Sequence, residues 1–144
     1  MKFDVITIGT ATRDAFIKSE YFHVDPDHHV LGGKGLVMAL GAKIEVPELF
    51  FSTGGGATNT AVTFARQEKK TACIAVIGDD DSGHAVLRDL TKEKVYTGFI
   101  RQESHATAFS VLLEPTSGER TVLVHRGVSE NLKSSTIPWS RINT

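Results

Sequence analysis

The sequence predicts an α/β protein: part of a doubly wound parallel sheet, with a small β-stranded piece inserted after the first strand. Phe3–Gly9 and Thr71–Gly78 are runs rich in β-branched residues that each end at a glycine, as buried strands do. Helical apolar stripes lie before and after the second run, and strand, helix, strand, helix in this order argues for a parallel sheet with covered faces. Between the first strand and the first helix, the stretch from about Ala15 to Thr53 breaks that order.

Taken along the chain, strand one is followed by Gly9-Thr10-Ala11-Thr12-Arg13-Asp14. The region 15–53 then sets Gly32-Gly33, Gly35, Gly41 and Pro47 between short apolar runs such as Leu36–Leu40 and Leu49–Phe51. Such punctuation suits the strands of a small sheet or flap and not a helix. Gly54-Gly55-Gly56-Ala57-Thr58-Asn59-Thr60-Ala61 opens the first helix, whose stripe is Ala57, Ala61, Phe64 and Ala65. A second helix runs from Ser82 to about Glu93 on Val86, Leu87 and Leu90. Thr107–Leu113 and Arg120–His125, separated by Pro115-Thr116-Ser117-Gly118, read as an antiparallel hairpin. Ser134-Ser135-Thr136 before Ile137-Pro138 caps a helix that barely begins. Two or three parallel strands leave an open edge and a half-covered apolar face, so the chain reads as the front part of something larger.

The 144 residues amount to one domain, with 40% apolar and 23% charged residues and a formal net charge of −1. Nothing in that balance draws the chain to nucleic acid or to an anionic membrane. No segment has the length and apolarity of a bilayer span, and no charged-then-apolar leader opens the chain. Cytoplasm is the default. The single cysteine, Cys73, lies within an apolar run and reads as a buried, inert thiol.

The triple glycine is the most informative stretch. It frees the backbone for φ > 0 and lets another molecule approach without a Cβ in the way. At a helix N-terminus, unpaired N–H groups and the macrodipole favour electron-rich ligands, and Asn59 on the first turn offers both a donor and an acceptor. A plain tight turn explains three glycines equally well. A dinucleotide fingerprint fails, because Gly54-x-Gly56-x-x-Asn59 lacks its third glycine. A Walker loop fails as well, since Gly33-Lys34 is followed by Gly35.

Asp14 sits where the carboxyl end of a strand faces the ligand crevice of open α/β sheets. Its carboxylate can accept from two neighbouring hydroxyls of a polyol; alternatively it pairs with Arg13 or caps a turn. Thr12 offers a hydroxyl contact or simply faces solvent. Arg126, at the end of the hairpin, reaches a ligand anion or makes a surface salt bridge. Gly78-Asp79-Asp80-Asp81-Ser82-Gly83 lacks the later ligands of a calcium loop, with Leu90 where an acid is needed, so capping by Asp81 or Ser82 is preferred. His28-His29 read as a solvated loop.

Together these positions resemble the N-terminal half of a ribokinase-like, PfkB-type carbohydrate kinase. The resemblance runs from about residue 3 to 133, on DVITIGTATRD, GGGATNTAVTFARQ, IAVIGDDDSGHAVLRDL and GERTVLVHRGVSENL. The glycine-to-asparagine motif and the later G-x-D-x-x-G form a rather specific pair. The resemblance implies a ribokinase-like doubly wound sheet whose first hairpin carries a β lid, here at about 15–53. It implies transfer of the ATP γ-phosphoryl group to a sugar or nucleoside hydroxyl, with Mg²⁺. Position by position, it implies that Asp14 grips sugar hydroxyls, that the sugar lies against Gly54 and Gly55, and that Asn59 hydrogen-bonds it; Thr12 and Arg126 are looser. Dimerisation through the lid occurs among relatives.

Two departures stand out. Gly32-Gly33-Lys34-Gly35 imitates the glycine motif but has Val37 where asparagine is needed, and Gly56 stands where ribokinases proper carry lysine, which counts against ribose. The family's catalytic base and phosphoryl-stabilising N–H groups lie in a later Gly-Ala-Gly-Asp-like segment that these residues do not contain. The expectation is therefore a substrate-side portion, from residue 1 to 144, that binds but does not itself catalyse, with the ATP-binding half elsewhere. A non-catalytic sugar-binding module and an inactive fragment are the alternatives.

Overall fold

The structure, a computed structural model, describes residues 2–26, 29 and 31–142. Its strands are β1 (Val5–Ile8), β2 (Thr12–Lys18), β3 (His23–Pro26), β4 (Lys34–Val37), β5 (Glu48–Gly54), β6 (Thr71–Ile74), β7 (Val76–Gly78), β8 (Arg101–Glu103), β9 (Ala108–Glu114) and β10 (Thr121–His125). The α-helices are α1 (Gly56–Ala65), α2 (Asp81–Lys92) and the single turn α3 (Trp139–Ile142), with 3₁₀ turns at Gly127–Asn131 and Ser134–Thr136. The chain divides into two compact units, one of residues 1–13, 53–109 and 125–144, the other of residues 14–52 and 110–124.

The first unit is the α/β portion. β1 pairs with β6 in parallel, Val5 opposite Thr71 through Ile8 opposite Ile74, and β7 pairs with β8 in parallel. The run 71–78, read from sequence as one strand, is interrupted at Ala75 because its two halves take different partners.

Alternation along this run explains how both faces are covered. Cys73, Ala75 and Ile77 point to one side, where they join Ala57 and Ala61 of α1 and Val86 and Leu90 of α2 in a buried cluster. Ala72 and Ile74 point to the other side, against Phe99, with Phe3, Tyr96, Leu132, Ile137 and Ile142 packed around them. The face that the sequence leaves half-covered is thus closed by aromatic side chains and by residues 132–142. Phe3, Tyr96 and Phe99 form a three-ring cluster with centroids 5.1 to 5.8 Å apart. Burial pushes the Cys73 thiol up to about 11 against a hydrogen bond with Thr7 that lowers it, so the sulfur stays protonated and inert near neutrality.

The second unit is β-rich, as the punctuation of residues 15–53 predicts. β3 and β4 form an antiparallel pair, His23 opposite Val37. A four-stranded sheet has the order β10-β9-β2-β5; apart from a few residues at strand ends it belongs to this unit. The predicted hairpin is therefore present, its turn closed by Gly118 N–H donating to Pro115 O at 3.2 Å, but it joins the inserted strands and not the parallel sheet. β2 begins at Thr12, so Thr12 and Asp14 lie within a second strand, and the β-rich unit begins at residue 14. Val37, which displaces the asparagine in the imitation motif, is a strand residue of β4. Of the adjacent histidines, His29 lies in an exposed turn, and His28 falls outside the described residues.

Candidate functional site

The glycine turn is built by its neighbour across the β1–β2 connection. Gly55 is the N-cap of α1 with φ 107° and ψ 150°, a backbone that side chains rarely adopt. A Cβ on Gly55 would strike Thr10 O, so the close approach itself requires glycine. The hydroxyl of Thr10 accepts from Gly56 N–H at 3.0 Å and its carbonyl accepts from Ala57 N–H at 3.2 Å. Two of the orphan N–H groups at the mouth of the helix, which the sequence leaves open for a ligand, are satisfied within the chain. Thr58, fully buried, donates its hydroxyl to Gly54 O and Gly55 O at 2.5 and 2.9 Å, which locks the turn from below.

Asn59 follows on the first turn. Its N–H donates to Gly55 O at 3.0 Å, and its exposed side-chain amide makes no hydrogen bond among the described residues. Gly54 is buried at the end of β5. Thr12 is half-buried in β2, and its hydroxyl has no partner among the described residues.

In the second unit, Asp14 is half-buried in β2, and its carboxylate makes no hydrogen bond or ion pair among the described residues. The pairing with Arg13 does not form: Arg13 Nη1 donates instead to Asp89 Oδ2 at 2.9 Å. Arg126 is exposed and lies 3.6 Å from Glu130 in an i,i+4 pair. It makes no hydrogen bond or ion pair with Thr12, Gly54, Gly55 or Asn59.

The G-x-D-x-x-G stretch is a backbone joint. The N-cap of α2 is Asp80, not Asp81 or Ser82. Asp80 accepts from Gly83 N–H at 2.8 Å, from Thr107 N–H at 2.9 Å and from Thr107 Oγ1 at 2.6 Å. Thr107 Oγ1 in turn accepts from Gly78 N–H at 2.8 Å. Cβ atoms on Gly78 and Gly83 would strike His105 O and Gly78 O, so both glycines make way for backbone. Burial raises the Asp80 carboxyl, but the bonds from Thr107 and Gly83, with His84 nearby, outweigh it and hold the group below its ordinary 3.8.

Sequence reasoning misses Thr10, Asp80, Thr107 and Asp89 as the groups that hold these turns. No group of three or more His, Cys, Asp or Glu that could hold a metal ion occurs among the described residues. No helix among them is long and apolar enough to cross a membrane.

Two parallel strand pairs packed against helices, a glycine turn at one helix mouth and a β-rich insertion make this an α/β protein, and its structural neighbours give it the ribokinase-like fold. Residues 4–143 match the family described as pfkB family carbohydrate kinase, and the chain belongs to that family. It is 27% identical over 115 residues to the probable fructokinase-3 of Arabidopsis thaliana, a match covering 70% of this chain and 33% of that protein. It is 25% identical over 79 residues to the ribokinase of Bacillus subtilis (strain 168), covering 55% of this chain and 27% of that one. The chain thus spans about a third of the length of these relatives. Among solved structures, the Arabidopsis thaliana ribokinase complexed with ribose and ATP superposes with a TM-score of 0.69 at 17% identity, over 87% of this chain and 36% of that one. At that identity the likeness speaks for the fold alone.

Proposed function

We propose that the chain carries the substrate-side portion of an ATP-dependent carbohydrate kinase, the sugar held by Asp14, Gly54, Gly55 and Asn59, with Thr12 and Arg126 in subsidiary contact. The observation that carries this reading is the state of Asp14. A half-buried carboxylate with no partner among the described residues is free to accept charge-assisted bonds from a pair of sugar hydroxyls. The uncommitted amide of Asn59 supports the same reading. Thr12 supports it too, because strand alternation puts its side chain on the same face of β2 as that of Asp14. The names of the relatives, fructokinase and ribokinase, make a fructose- or ribose-like polyol the first candidate. ATP as phosphoryl donor, with Mg²⁺, and a cytoplasmic setting belong to the same proposal, with no residue of this chain assigned to the nucleotide.

Calorimetry with D-fructose, D-ribose and adenosine tests it. One of the three is expected to bind, and Asp14→Ala to weaken that binding roughly 50-fold, the size of a lost pair of charge-assisted hydrogen bonds. A folded sample that binds none of them ends the reading. Turnover is not expected of these residues alone; sugar binding that gives no turnover in ATP and Mg²⁺ even beside a portion carrying the Gly-Ala-Gly-Asp-like segment would favour a non-catalytic sugar-binding module.

A homodimer through the β-rich unit is proposed alongside. Leu49 on the edge strand β5, and Val122, Leu123 and Val124 on the edge strand β10, are exposed, and Phe50 keeps about half of its surface exposed although its ring stacks on Phe16 at 4.5 Å. Contiguous exposed apolar surface of this kind marks association sites. Sedimentation is expected to give a dimer that Phe50→Lys converts to monomer; a wild-type monomer at micromolar concentration removes the proposal.

A further inference from the structure

Asp89 lies in the third turn of α2 and is not among the residues assigned to the sugar. Its Oδ2 atom accepts two bonds at once, from Arg13 Nη1 at 2.9 Å and from Thr53 Oγ1 at 2.7 Å. The Arg13 side chain is only 18% exposed, so this is not a loose surface pair. The two donors occupy telling positions. Arg13 is the residue before Asp14, and Thr53 is the residue before Gly54-Gly55. At both points the chain passes from one compact unit to the other.

We infer that Asp89 is a positioning residue for the sugar site, fixing the strand ends from which Asp14 and Gly54-Gly55 are presented without touching the ligand. Successive side chains on a strand alternate in direction. Anchoring Arg13 on one face of β2 therefore commits Asp14 to the other. Anchoring Thr53 fixes the backbone that leads into the positive-φ turn at Gly55. Because one oxygen receives both bonds, neither strand end can shift without disturbing the other's anchor. This inference rests on the sugar-binding reading of Asp14 for its functional meaning, but its geometric content stands apart from it.

The experiment uses the whole chain, with the variants Asp89→Ala and Asp89→Asn, and Glu93→Gln as a control on the exposed Arg66–Glu93 pair. Affinity for D-fructose, D-ribose and adenosine is measured together with the melting temperature and the ¹H–¹⁵N spectrum. Expected are about tenfold weaker sugar binding in Asp89→Ala, partial recovery in Asp89→Asn through its remaining oxygen, and no change in the control. The melting temperature is expected to fall by less than about 5 °C, and amide shifts to concentrate at residues 13–14 and 53–55. Unchanged affinity in Asp89→Ala overturns the inference, as does a loss of affinity that merely follows a collapse of the fold in both variants. If the wild-type chain binds neither sugar nor adenosine, the proposed function fails and the spectra decide the positioning role. Concerted shifts at Asp14 and Gly55 uphold it, and undisturbed amides at those residues refute it.

Discussion

Replacing Gly55 by alanine is expected to destabilise the protein by roughly 3 kcal/mol or more, combining left-handed backbone strain with a steric clash that must move backbone. The new Cβ would meet Thr10 O and lie 2.8 Å from Thr10 C, neither of which is the flexible end of a side chain. Relief requires pulling the β1–β2 turn away from α1. That would break the bonds from Gly56 N–H and Ala57 N–H to Thr10, leaving the first turn of the helix unsatisfied. Urea denaturation reads the effect. A loss below about 1 kcal/mol would mean that the turn relaxes freely and that the glycine is not required by packing.

Asp80→Ala is the second large effect. It strips the partner from three donors, Gly83 N–H, Thr107 N–H and Thr107 Oγ1, and Thr107 is almost fully buried. Charge-assisted bonds and an N-cap together suggest a cost of roughly 3 kcal/mol. Asp80→Asn is expected to recover only part of this, since its NH₂ group must face a donor at one of the two oxygen positions. The same site sets an acid limb. The folded carboxyl titrates below its ordinary 3.8, so its stabilisation is complete above that pH and is lost as pH falls through it towards the folded value. Urea midpoints between pH 7 and pH 3 should therefore fall more steeply for the wild type than for Asp80→Ala. Parallel curves would remove Asp80 from the acid response.

The periodic features are what the sequence makes legible. Ala57 and Ala61, and Val86 and Leu90, show helical spacing and are buried as that spacing requires. The β-branched runs become β1, β6 and β7, and Pro115–Gly118 is a turn. The joints are not legible. Asp79, Asp80 and Asp81 offer three plausible caps in a row, and the choice is made by Thr107, 27 residues away from Asp80. Thr10 looks like a turn residue after a glycine, and nothing local announces a helix beginning 46 residues later. The interruption at Ala75 has no breaker residue behind it; it arises only because β6 and β7 answer to different neighbours. For the proposed sugar site, the candidate residue types could be read in sequence. What could not be read was that Arg13, the residue beside Asp14 in the chain, donates to Asp89.

The parallel register of β1 with β6 also bears on time. Val5 meets Thr71 only after the entire inserted unit's first stretch has been threaded between them, so the pairing at the centre of the α/β core is among the most sequence-distant in the molecule. Closing so long a loop costs little in equilibrium free energy, because the entropy grows only with the logarithm of length. It weighs far more on the rate, since distant strand pairing slows the search for the native arrangement. During that interval the first strand waits unpaired, and the excursion between the first two parallel strands is expected to slow the protein's maturation.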